Sequence, residues 1–459
     1  MSFPRYPEYK DSGVEWLGWV PSHWSVKAIK WLSPVLRGAS PRPIDDPKYF
    51  DDDGEYAWVR IADSTASTGM LTETTQRLSA LGSSLSVKLE IGQLFVSIAG
   101  TVGKPCITAI KACIHDGFVY FPRLQINPKF LFRIFEAGVC YGGLGKLGTQ
   151  LNLNTDTIGS IRIAVPPPEE MTEVLSFIDR ETAKIDALVA EQEKLIALLQ
   201  EKRQAVISHA VTKGLDPNVP MKDSGVEWLG EVPGHWKVMP IRLAARLESG
   251  HTPSRSRPDW WQDCTVPWFT LADVWQIRDG GADVVYETKE LVSELGLANS
   301  SARLLPKGTV MLSRTASVGF SAIMGVDMAT TQDFANWVCS EELRPEFLLQ
   351  VFRSMKGEYR RLMMGSTHNT IYMPDIQAFR FALPPVPEQL RIVDHIKEKA
   401  STFDDLISEA QVAVRLLTER RTALISAAVT GQIDVRGLVG GAIAPNSIAA
   451  SAYPASDGG

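Results

Sequence analysis

A run of 43 residues from Glu170 to Thr212 contains no Gly or Pro and places Ile178, Ile185, Gln192, Leu199 and Val206 seven residues apart. Leu188 and Leu195 stand three beyond Ile185 and Gln192, so the apolar positions form a narrow coiled-coil stripe on one long helix. Pro166, Pro167 and Pro168 block helix ahead of it, and Gly214 with Pro217 ends it. Shifted by 218 residues the device recurs, with Ile396, Phe403, Ala410, Leu417 and Leu424 in phase and Leu406 and Ala413 completing the second row. Each helix would be about 65 Å long at about 1.5 Å per residue. A stripe of that length needs a partner, and the folded segment between the two runs lets the chain return on itself and pair them antiparallel. The expected seam is Ile178, Ile185, Leu188, Leu195, Leu199 and Val206 against Ile396, Phe403, Leu406, Leu417 and Leu424. Gln192 stands where the second helix has Ala410. A polar seam residue of that kind can fix register, and a tolerated Gln near a bulge explains it equally well.

The stretch ahead of each helix is repeated too. Lys10 to Trp24 (KDSGVEWLG, then VP and HW) matches Lys222 to Trp236 at 13 of 15 positions, at an offset of 212, which marks duplication. Weaker matches follow: Gly38–Pro41 with Gly250–Pro253, Trp58–Asp63 with Trp268–Asp273, Gly92–Gly103 with Gly308–Gly319, and Arg162–Pro167 with Arg380–Pro385. Duplicated ends around diverged middles imply one frame with different contents. Short β-branched and aromatic runs (94–98, 118–121, 310–313) alternate with helical pieces (128–137, 345–359), which predicts an α+β block in each half. The expected architecture is two globular domains separated by a long antiparallel two-helix coiled coil, with an internal pseudo-two-fold repeat. Its segments are a first domain over 1–165, a first long helix over 166–213, a second domain over 214–383, a second long helix over 384–435 and a disordered tail over 436–459.

Composition sets bounds on function. At 44% hydrophobic and 22% charged residues the chain can build cores, and no run of 18 apolar residues offers a membrane span. With no apolar signal core at the N-terminus, a cytoplasmic location is expected. Five cysteines without a CxxC pair signal neither a disulfide framework nor a zinc site. The 47 Lys and Arg against 53 Asp and Glu leave a net charge of −6, so any DNA contact must come from a local face or be shared with a more basic partner.

Enzymatic motifs fail in context. Gly143 to Gly148 matches GxGxxG, yet no strand leads into it and no clear helix follows, so a flexible loop is the better reading, and its polar residues favour reach to DNA over cofactor binding. Pro258-Asp259 with Glu287 and Lys289 mimics a nuclease set, but the first half has Glu73-Thr-Thr75 in the matching place. No Asn-Pro-Pro-Tyr or Asp-Pro-Pro-Tyr segment is present to hold a flipped adenine. His23 and His235 each adjoin a Trp and read as packing residues, with Trp16, Trp24, Trp228 and Trp236 as anchors of the entering segments.

The doubled KDSGVEWLG and VPxHW motifs, the Pro-Pro-led helices ending Ala205–Thr212 and Ala423–Thr430, and the linker Lys213–Pro217 closely resemble the specificity subunits of type I restriction-modification systems. The resemblance extends over nearly all of residues 6–436. It implies two target-recognition domains, each reading half of a split double-stranded DNA target, held apart by the helix pair. It also implies docking of two modification (methyltransferase) subunits and assembly with restriction/translocase subunits. S-adenosylmethionine, ATP and Mg belong to those partners, and this chain would hold no cofactor, no metal and no catalytic residue. The middles, where such proteins differ, do not carry a target over.

Base-edge or phosphate contacts are expected from polar residues where strands meet loops. In the first half these are Arg42, Arg60, Thr101, Lys104, Lys146, Gln150 and Asn152. In the second half they are Ser254, Arg255, Arg257, Arg278, Arg314, Thr315, His368 and Asn369. A self-sufficient methylating or cleaving enzyme is disfavoured by the missing motifs, and a purely structural adaptor by the two large, diverged blocks.

Overall fold

The two proline-led runs fold as helices of 46 and 44 residues, Pro168–Lys213 and Val386–Val429. Pro168 is accommodated in the first turn, where its missing N–H has no helical partner to lose. Gly214 (φ 74°) and Gly431 (φ 72°) take the left-handed conformation just past the two ends, where glycine carries no steric cost. These helices come from a computed structural model, which describes every residue except 1–2, 143, 145, 148–149, 152, 279–280, 364–369 and 439–459. For 146, 147, 150 and 151 it describes the backbone alone. The expected disordered tail falls, from residue 439 on, outside the described residues.

The chain divides into two compact units, Met1–Gln192 with Val412–Gly459, and Glu193–Gln411. This division crosses the linear segments expected from sequence, because each unit combines one block with the leading part of one long helix and the closing part of the other. In the first unit Arg421 Nε meets Asp186 Oδ1 at 2.8 Å, and Arg180 Nη1 donates to Leu438 O at 2.7 Å, so the helix segments run in opposite directions. Val174, Phe177 and Ile178 share a core there with Leu424, Ile425 and Ala428. In the second unit Arg203 Nε meets Asp404 Oδ1 at 3.1 Å, and Ile207, Ala210 and Val211 share a core with Ile392, Val393 and Ile396. Asp404 and Arg421 lie 218 residues after Asp186 and Arg203, so the same ion pair is built twice.

Burial corrects the expected seam. Ile178, Ile185, Leu199, Ile396, Ala410 and Leu424 are buried, whereas Leu188, Leu195 and Leu406 are 52%, 42% and 44% exposed. Val206, Phe403 and Leu417 are half-buried. The row three residues on stands about 60° round the helix at about 3.6 residues per turn. A single neighbouring helix covers the seven-residue row and leaves that flank open, and only the outer turns, where the block also packs, bury a wider face.

The larger sheets of the two blocks match strand for strand, and the smaller ones match but for one edge strand. In the first, a five-stranded sheet runs Leu36–Arg37, Phe118–Tyr120, Leu94–Ser97, Pro105–Thr108, Met70–Leu71, beside a smaller sheet of Gln76–Leu78, Tyr56–Val59, Ala112–Ile114 and Val87–Leu89. In the second, the order is Ala245–Ser249, Phe334–Cys339, Val310–Ser313, Ser321–Met324, Val284–Val285, beside Glu290–Val292, Val266–Phe269 and Ala329–Thr330. The parallel pairings fall at equivalent places in both, and the bridge Leu305–Met328 stands where the first unit has Val87–Leu89. Helices Pro128–Ala137 and Pro345–Ser354 cover the larger sheets with Phe130, Ile134 and Phe135, and with Phe347, Val351 and Phe352. Each fold is thus α+β, and the repeat is internal to one chain. Each block enters and leaves through a two-strand neck, Ser25–Ala28 antiparallel to Arg162–Val165 and Lys237–Pro240 antiparallel to Arg380–Leu383.

The repeated entering motif anchors each block to the head of a long helix. Glu170, buried in the first turn, accepts from Tyr6 Oη at 2.6 Å and Trp24 Nε1 at 3.0 Å, with His23 Nε2 at 2.7 Å. Burial and this carboxylate push the Tyr6 phenol well above its ordinary range. In the second unit Glu388 lies 2.8 Å from His235 Nε2, while the buried Trp236 Nε1 has no hydrogen-bond partner among the described residues. Helix Pro128–Ala137 is tied in by Lys129 and Arg133, both on Asp179 (2.5 and 2.8 Å). Burial raises the Asp179 pKa, and these two cations more than offset it, holding the carboxyl below its ordinary value.

Candidate nucleic-acid interface

Strand pairing carries several turns of each block to one edge. In the first unit Gly38 N donates to Phe118 O and Ala39 N to Ile114 O (both 3.0 Å), so the turn leading to Arg42 lies against residues 115–117. Ile98 N donates to Gly117 O (2.8 Å), which brings the hairpin turn 98–104 to the same place. Gly100 (φ 63°) closes that turn so tightly that a Cβ would sit 2.7 Å from Ile61 Cγ2, at the start of helix Ile61–Ala66. Thr101 Oγ1 lies 2.7 Å from Thr65 Oγ1, and Lys104 Nζ donates to Thr65 O and Ser67 O at 2.6 and 2.8 Å. Arg42, 82% exposed, reaches Asp116 at 3.7 Å, and Arg37 bonds Asp116 O. Arg60 N caps the helix through Asp63 (2.9 Å), and its guanidinium bonds Gln76. Arg42, Arg60, Thr101 and Lys104 therefore share one edge, with the Lys104 ammonium committed to backbone carbonyls.

The second unit repeats the plan. Arg314 N donates to Asp333 O (2.8 Å) and Nε to Gln332 O (2.9 Å), while Thr252 Oγ1 donates to Gln332 Oε1 (2.8 Å). Thr315 bridges Thr370, and the Arg278 guanidinium lies 5.7 Å from the Phe320 ring centre at the far end of the hairpin turn. The loop 254–257 is held differently. Arg255 bonds Glu290 at 2.7 Å and stacks 3.9 Å from the Trp261 ring centre. Arg257 grips Asp259 with Nε and Nη2 at 3.1 and 2.9 Å, and that hydrogen-bonded cation holds the carboxyl below its ordinary pKa. Ser254 Oγ lies 2.8 Å from Ser256 Oγ. Lys146 and Gln150 lie on paired two-residue strands whose side chains are outside the described residues, as are Asn152, His368 and Asn369 altogether.

Sequence reasoning passed over Arg37, Asp116 and Gln332. The match of Gly38–Pro41 with Gly250–Pro253 points to Thr252, but Gln332 reaches the edge only through pairing between distant strands. Asp259 of the nuclease-like set is occupied by Arg257, and among the described residues no group of three His, Cys, Asp or Glu could hold a metal ion. Ala62-Asp63 and Ala272-Asp273, which close the matched runs Trp58–Asp63 and Trp268–Asp273, are structural. Asp273, fully buried, accepts from Thr270 N (3.0 Å), Thr270 Oγ1 (3.0 Å) and Lys289 N (2.7 Å), and Asp63 accepts from Arg60 N and Thr75 N (2.9 and 3.4 Å).

Ala316 occupies the place of Gly100 in the second hairpin turn, with φ 58°. A left-handed alanine costs about 1–2 kcal/mol. Replacing Ala316 by Gly is expected to raise the stability of the second unit by about 1 kcal/mol, read from the urea midpoint; an unchanged or lower midpoint would show the turn to be unstrained.

A model of the type I restriction modification DNA specificity domain matches residues 21–197 and again 233–411. The chain belongs to the type I restriction-modification DNA specificity family. Within that family it is 26% identical over 183 residues to the MjaIX specificity subunit of Methanocaldococcus jannaschii, covering 39% of this chain and 40% of that one. It is 24% identical over 250 residues to the EcoR124I/EcoR124II specificity subunit of Escherichia coli, covering 53% and 55%. These matches therefore span about half or less of the relatives' lengths. A chain from a solved type I R-M system, described as the structural basis of its complex assembly and conformational transition, superposes with a TM-score of 0.59 at 18% identity, over 89% of this chain and 98% of that one. That likeness is one of fold.

Proposed function

We propose that the chain is the non-catalytic DNA-recognition subunit of a type I restriction-modification complex. Each unit reads one half of a bipartite double-stranded target, and the paired long helices set the spacing and dock two modification subunits. One observation carries this reading: a single α+β frame, built twice with the same strand order in its larger sheet, presents a different set of polar side chains at the same edge. Arg42 and Arg60 in one unit, and Thr315 in the other, suit base-edge or phosphate contacts, while Arg314 is held by the Gln332 and Ile371 carbonyls. Lys104 and Arg255 serve better as struts that hold the reading turns. With a net charge of −6 the chain lacks a strong non-specific grip on phosphate, so tight binding needs the modification subunits. S-adenosylmethionine, ATP and Mg act on those subunits and on the restriction/translocase subunits, in the cytoplasm. Among the described residues no helix is long and apolar enough to cross a membrane.

Genome-wide adenine methylation compared in strains with and without the gene tests this. The expected result is one split motif that is methylated only when the gene is present. Methylation that persists without the gene, or purified chain that binds S-adenosylmethionine tightly by itself, would overturn the proposal.

A further inference from the structure

One large apolar side chain projects from the edge of the second unit. Trp275 is 73% exposed, the highest value among the described large hydrophobic residues. Its helix, Leu271–Gln276, begins directly after strand Val266–Phe269, where Thr331 N donates to Phe269 O at 3.1 Å. The turn 331–333 that receives Arg314 therefore lies at the root of this helix. The support is fixed: Val274 and Ile277 are in the core, and the fully buried Asp273 caps the helix start through Thr270. The indole therefore projects into water from a fixed backbone beside a polar edge, so a contact made there orders little besides its own rotamer.

The internal repeat locates the neighbourhood of this side chain. Trp275 follows Asp273 by two residues, as Thr65 follows Asp63, and Thr65 Oγ1 lies 2.7 Å from Thr101 in the hairpin turn of the first unit. In the first unit this helix position borders the hairpin turn; at the equivalent position, on a 3-10 helix, the second unit carries an indole in place of the small hydroxyl. Arg278, three residues beyond Trp275, packs over Phe320 at the end of the second hairpin turn.

We infer that Trp275 is a specificity-determining residue, whose indole packs against the 5-methyl group of a thymine in the second unit's half-site. The inference rests on the DNA-recognition reading. The thymine methyl is the apolar group that base pairs display in the major groove, and the polar residues around Trp275 supply the hydrogen bonds an indole cannot.

The test uses the full chain assembled with its modification subunits, and duplex targets in which each thymine of the second half-site is replaced in turn by uracil, which lacks the methyl. At one position uracil lowers wild-type binding about fourfold, the effect of one buried methyl group. Trp275→Phe keeps that sensitivity in part. Trp275→Ala binds thymine and uracil duplexes alike, melts like the wild type and reads the first half-site unchanged. No uracil-sensitive position, or a Trp275→Ala protein as sensitive as the wild type, overturns the inference. So does a Trp275→Ala protein that loses only its modification subunits, which would make the indole a protein contact. A wild-type complex with no sequence preference fails earlier and overturns the DNA-recognition reading itself.

Discussion

Replacing Glu170 by Ala is expected to destabilise the first unit by about 3–5 kcal/mol, because the buried donors that it satisfies lose their acceptor and each orphaned group costs about 1–3 kcal/mol. Tyr6 Oη and Trp24 Nε1 would be left unpaired inside the core, and the entering segment would lose its tie to the helix head. The same change at Glu388 is expected to cost about 1 kcal/mol, since its partner His235 is 44% exposed and Trp236 Nε1 is already unpaired. Urea unfolding of the two variants provides the comparison. Equal losses would mean that Glu170 is not the organising acceptor of its unit.

Exchange of residues 25–165 for the block of another family member is expected to replace the half-site read by the first unit and to leave the other half-site intact. Each altered base pair changes preference by about 1–3 kcal/mol, so the original target would go unmethylated and a new hybrid motif would appear. The cut points are structural. Ser25–Ala28 and Arg162–Val165 pair with each other, so the chain crosses between block and frame at a single two-strand neck, and an incoming block must also supply the contacts that Lys129 and Arg133 make to Asp179. Methylation sequencing of a strain carrying the exchanged gene gives the answer, and a change in both half-sites would contradict independent reading.

The long helices and the duplication are legible in the sequence because both rest on local, periodic signals. Proline before, glycine after and no breaker between mark the helices, and 218 residues separate their matching positions. The seam is legible only in part. Period predicts that Ile185 and Leu188 lie near one another on a helix, but it cannot tell how many neighbours cover them, and Leu188 proves to be open. At the reading edge, residue type identifies Arg42, Arg314 and Thr315 as candidates, yet it cannot distinguish a free cation from a tied one, and Arg314 proves to be tied to the Gln332 carbonyl. Arg255 and Arg257 are engaged by Glu290 and Asp259, which are acidic residues that the sequence presents as ordinary surface charge. Gln332 and Asp116 reach the edge through pairing between strands far apart in the chain, and local patterns carry no trace of that.

The division of the chain into units also has a consequence for how it is made. The second unit, Glu193–Gln411, is one continuous stretch, whereas the first combines residues up to Gln192 with those from Val412 onward. Leu424, Ile425, Ala428, Val429 and Val435 lie in the same core as Trp24 and Ile178, and Asp434 N donates to Pro4 O at 2.8 Å. During translation the block that leaves the ribosome first must therefore wait, with part of its interior uncovered, until the last described helix has followed it, while the block synthesised later can close before it.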